Sequence, residues 1–185
     1  MTQNAVKTTS SMSIPSDNVA QAREERAKAL VNPASGLAND YLNLFNEIVM
    51  LIEALPSMPE LIDDIMKWHP TTYQDYFETS ALPGRGSALA AYAALDERFR
   101  LDFEALVADL DRRAVGAVAA IRRHHKTNGG ACPETLAEIC GRAGENLRGV
   151  LAKATHVVNY GTKRPREAAQ QKADRLLSGG LRRTG

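Results

Sequence analysis

The polar and apolar positions of this chain follow helical rather than strand periodicity. From Leu37 to Leu55 the apolar residues fall at Leu37, Tyr41, Leu44, Ile48, Leu51 and Leu55, with Phe45 and Ile52 beside them. Steps of four and three place such side chains on one stripe of a helix. The pattern returns at Phe99, Phe103, Leu106 and Leu110, thins through Ala114–Ala117, and resumes at Val118 and Ile121. A third stripe runs through Leu136, Ile139, Cys140, Ala143, Leu147, Val150, Leu151, Ala154 and Val157. Three broad stripes need burying on one another, which predicts an all-α fold. The expected architecture is an irregular helical bundle of three long helices, with shorter helices at 58–68, 71–79 and 87–95 inserted between the first two.

Breakers and caps set the expected boundaries. Pro33 disfavours helix at Asn32, and Ser35 is placed to cap the helix that follows. Ser57 with Glu60, and Thr71 with Gln74, have the spacing of capping boxes, and Ser87 stands ahead of an alanine-rich run. Asp96 either caps a new helix or lies within a continuous one. Asn128-Gly129-Gly130 ends the second stripe, Pro133 suits a first helical position, and Gly161 ends the third. Gly141, Gly144 and Gly149 weaken that last helix unless a neighbouring backbone packs tightly against them. The expected division is a disordered leader over 1–32, with a short helix from Ser16 or Asp17 to Leu30, a bundle domain over 33–161, and a basic helix and tail over 162–185. The tail's helix is expected from Pro165 to about Leu177.

Charge sharpens that division. Residues 163–185 carry seven Lys or Arg against Glu167 and Asp174, a net of +5. Residues 33–162 carry twelve basic and seventeen acidic groups, a net of −5, so an acidic body precedes a basic end. Two cysteines, Cys132 and Cys140, are too few for a disulfide framework. No apolar run reaches the roughly 20 residues of a membrane span, and the first residues lack the apolar stretch of a signal peptide. A cytoplasmic location with no transmembrane segment is therefore expected.

Candidate chemistry is sparse. The four histidines, His69, His124, His125 and His156, show no metal-ligand spacing, and no phosphate loop or nucleophile elbow is present. No catalytic, cofactor-binding or metal-binding residue is therefore assigned. The segment holding Trp68, His69, Tyr73, Tyr76 and Phe77 contains four of the chain's ten aromatics, residues that join an apolar body to a polar handle. These five are the interaction candidates, set against ordinary use of aromatics at a helix corner.

His124, His125 and Cys132 flank the Gly-Gly loop and suggest a phosphorelay or small catalytic protein as an alternative. Histidine-phosphotransfer domains resemble this chain in architecture only. They carry Lys and then Gly three residues after the histidine, where this chain has Thr127 and Asn128. Basic residues complementing a helix end account for the same histidines. A thiol at a helix start gains nucleophilicity only if exposed, whereas Cys140 lies on an apolar stripe. A further alternative is nucleic-acid binding through the basic tail, whose charges are interrupted and lack interleaved aromatics. The preferred expectation is a non-enzymatic regulatory or scaffolding protein that associates with a protein partner or with its own copies.

Overall fold

The computed structural model describes residues 30–129 and 131–161. The leader to residue 29 and the segment 162–185, with the helices expected in them and the basic tail, lie outside the described residues. Within them the chain is helical, with no strand and a single bridge between Val31 and Ala38. Six helices follow in order: α1 (Asn43–Ala54), α2 (Ile62–Lys67), α3 (Tyr73–Thr79), α4 (Arg85–Ala93), α5 (Glu97–Asn128) and α6 (Pro133–Tyr160). One-turn 3₁₀ segments at Asn39–Leu42 and Pro59–Leu61 lead into α1 and α2.

Two of these helices are long, not three. The hairpin of α5 and α6, 32 and 28 residues, forms the largest helix–helix contact, and α1 with its leading turn lies along α6. The first stripe yields a helix of only 12 residues because its opening third is spent on a loop and the 3₁₀ turn. Its centre is also displaced from the expected line: Phe45, Ile48, Val49 and Ile52 are buried, while Leu44 and Leu51 sit half-buried at its edges.

Small residues govern the long hairpin. Ala114 and Ala117 on α5 and Cys140, Gly144 and Ala154 on α6 are buried, and short side chains let two helices approach closely. The thin alanine turn is thus part of the buried stripe. Close backbone packing does not explain the glycines: a Cβ at Gly141 or Gly149 would meet nothing within 4 Å, and one at Gly144 would meet the Glu53 side chain at 2.8 Å.

Helix ends depart from the expected caps wherever a hydroxyl finds a stronger use. Ser35 does not cap α1; its Oγ donates to the Val158 carbonyl at the end of α6 and accepts from the Leu37 amide. Ser57 makes no cap either, since Pro59 opens a 3₁₀ turn from Met58. Thr72, not Thr71, caps α3, accepting from the Asp75 amide at 3.1 Å and donating to the Asp75 carboxylate. Helix α4 begins two residues before Ser87 because Gly84, at φ 93°, turns the chain into it. Asp96 does cap a separate helix, accepting from the Phe99 amide.

The chain's first and last described turns are clasped together. Asn32 and Asn39 both donate through Nδ2 to the Asn159 side-chain oxygen, at 3.4 and 2.8 Å. The loop between them is held by Asn32, whose carbonyl accepts from Gly36 at 2.7 Å, with Gly36 at φ 76°. Leu30 and Val31 rest partly buried against the core beside this loop.

Candidate functional site

The aromatic segment folds into two unlike halves. The corner at Pro70 sends α3 back across the bundle, and its i, i+4 pair Tyr73 and Phe77 points inward and is buried. Tyr73 stacks on Tyr92 of α4 with centroids 4.5 Å apart and meets Tyr41 and Phe103 edge-on at 5.2 and 5.9 Å. Phe77 lies 4.8 Å from Tyr73, and the half-buried Tyr76 stands edge-on to Phe77 and Tyr41. Their hydroxyls are largely consumed within the fold. Tyr73 Oη accepts from the Ala38 amide at 2.9 Å, Tyr41 Oη donates to the Thr71 carbonyl at 2.8 Å, and Tyr92 Oη donates to Glu104 at 2.6 Å. Burial raises Tyr73 to about 12, and holds Tyr41 and Tyr92 well above the usual phenol range. This half is a packed aromatic core.

Trp68 and His69 are placed differently. The Trp68 indole is half-buried over Phe45 and donates to the Leu44 carbonyl at 3.2 Å, while His69 is exposed with Nδ1 3.1 Å from the Lys67 carbonyl. Together with Leu44, Glu47, Leu51, Asp64, Lys67 and Thr71 they line an open trough of about 310 Å³. The five candidates therefore do not share one surface.

A second trough opens on the far side of Leu51. Met50, Leu51, Ala54, Met58 and Leu61 form an apolar floor, with Met50 64% and Met58 45% exposed. Glu53 stands at its edge and pairs with Arg148 of α6 through both carboxylate oxygens, which draws the Glu53 carboxyl below its usual range.

The Gly-Gly end of the hairpin separates the remaining candidates. His125 and Cys132 are exposed, and Cys132 adopts a left-handed backbone, φ 61° and ψ 55°, ahead of Pro133. His124 is buried to 6% exposure, with no hydrogen-bond partner on either ring nitrogen among the described residues. No hydrogen bond joins His124, His125 and Cys132. Cys140 is a buried thiol that desolvation raises to about 11.

The sequence carried a sign of the buried histidine. Leu110, Ala114, Ala117 and Ile121 step by four and three, and position 124 continues that stripe. The partnership of Tyr73 with Tyr92 had no local sign, because it joins two helices across the Leu82–Gly86 loop. Among the described residues, no three His, Cys, Asp or Glu side chains gather to hold a metal ion, and no helix is long and apolar enough to cross a membrane. No protein-family model, curated protein or solved structure matches the chain.

Proposed function

We propose that this all-α protein works without catalysis, as a regulatory or scaffolding element that associates with its own copies through a helix surface. One observation carries the reading: the trough floored by Met50, Leu51, Ala54, Met58 and Leu61, which leaves two methionines largely in water. Unbranched thioether side chains adapt to a facing surface at little strain, and contiguous exposed apolar residues favour association. The Glu53–Arg148 pair at its edge supplies the polar rim that such contacts use for register. A second copy is the occupant favoured here, because a two-fold contact would set the same apolar strip against itself.

Size-exclusion chromatography with light scattering across a concentration series tests this. The wild type is expected to show a concentration-dependent dimer, and Met50→Asp/Met58→Asp a monomer with unchanged helical circular dichroism. A wild type that stays monomeric at every concentration removes self-association, and a double variant that dimerises equally well moves the contact elsewhere.

A further inference from the structure

A separate feature, at the opposite edge of α2 from the methionine trough, points to a small-molecule site. Where α1 ends, α2 begins and the α5–α6 hairpin turns, the chain encloses a cleft of about 130 Å³. Its walls include Leu55, Pro56, Pro59, Ile62, Pro133 and Leu136, and the buried His124 lines it. Pro133 and Ala131 are exposed at its edge and give it a mouth.

The imidazole does not fit an inert apolar core. A buried polar group without a hydrogen bond is costly, and His124 leaves both ring nitrogens unanswered among the described residues. An imidazole always carries at least one N–H, so it presents a donor to the cleft. A lone water would need two to four polar partners. Three of the wall residues are prolines, which contribute no amide donors, and the rest of the wall is aliphatic. An occupant must then combine an apolar body with a single hydrogen-bonding head.

Size and charge narrow its class. An apolar cavity of about 150 Å³ holds benzene, so this cleft suits one ring or a short branched chain. The start of α6 borders the cleft and has no side-chain cap at Cys132, leaving first-turn amides and the positive helix end toward an anion. The neighbouring end of α5 bears Arg122, Arg123, His125 and Lys126, a basic surround. We infer that the cleft binds a compact carboxylic acid, with its apolar body against Leu55, Ile62 and Leu136 and its carboxylate accepting from the His124 ring.

Benzoate is the probe, followed by ¹H–¹³C correlation spectra of the histidine rings and the Ile and Leu methyl groups of the full chain. Saturable shifts confined to His124, Ile62 and Leu136 at millimolar benzoate are expected, with acetate leaving them unmoved. His124→Leu, which keeps the volume and removes the donor, is expected to weaken benzoate binding roughly tenfold or more. Leu136→Phe, which fills the cleft without touching the histidine, is expected to abolish it. Unmoved signals in the wild type overturn the site. Equal affinity for benzene and benzoate, or unchanged benzoate binding by His124→Leu, overturns the carboxylate assignment to His124.

Discussion

At the scale of single residues, two kinds of buried polar group behave in opposite ways. Tyr41, Tyr73 and Tyr92 are buried with their hydroxyls satisfied, so the neutral phenol is the favoured form and the phenolate is resisted. A raised acid pKa means the folded chain holds protons that the unfolded chain releases. The stabilisation is therefore complete below pH 10, the ordinary phenol value, and is lost as pH climbs from there toward 12, where Tyr73 ionises. Each of these tyrosines removes roughly 1.4 kcal/mol per pH unit in that window. Denaturant titrations at pH 9, 10.5 and 12 should show a steep fall, and Tyr73→Phe should flatten part of it. His124 is the contrary case. Its nitrogens are buried and unpaired, so His124→Leu is expected to stabilise the empty protein by about 1–3 kcal/mol, read as a higher urea midpoint. A loss of stability would show that the imidazole has a partner. Its burial was legible from the four-and-three stepping from Leu110, but its lack of a partner was not, because that depends on Leu55 and Ile62 some sixty residues away.

At the scale of helices, periodicity and breakers carried most of the information. The starts at Asp96 and Pro133 and the stops at Gly129 and Gly161 follow from local stereochemistry that no distant contact overrides. The cap assignments at Ser35, Ser57, Thr71 and Ser87 failed for a common reason. A hydroxyl, or the backbone beside it, responds to whichever neighbour the fold presents, and for Ser35 that neighbour is a carbonyl of α6, 123 residues away. The glycines of α6 give a cleaner element-scale test. Gly141 and Gly149 face open space, so Gly141→Ala and Gly149→Ala should each raise stability by about 1 kcal/mol through helix propensity alone. Gly144→Ala gains the same propensity but drives its methyl into Glu53 and disturbs the pair with Arg148. Chemical denaturation of the three variants should therefore rank Gly144→Ala lowest; equal gains at all three sites would mean Glu53 moves aside freely.

At the scale of the whole molecule, the long hairpin is the frame and everything else is laid on it. Helix α1 lies along α6, the α3–α4 pair brings Tyr73 and Tyr92 over Phe103, and the two troughs and the cleft arise at the seams. The all-α class was legible because its stripes are long, whereas the lengths of the members were not. Residues 37–42 carry helical spacing, yet the start of the body is pulled into a loop by its bonds to Val158 and Asn159. Ser35→Ala combined with Asn159→Ala should leave helical content intact while amide exchange accelerates at Gly36, Leu37 and Ala38. Exchange unchanged at those amides would show that apolar packing of Leu37 and Ala38 holds the loop alone.

That clasp also fixes where the chain arrives and departs. Leu30 and Gly161 lie on either side of it, so a load applied between them reaches Asn32, Ser35 and Asn159 before it reaches the hairpin. Under an optical trap the first rip would be the short one that frees this knot of side chains, and the long rods would part only afterwards.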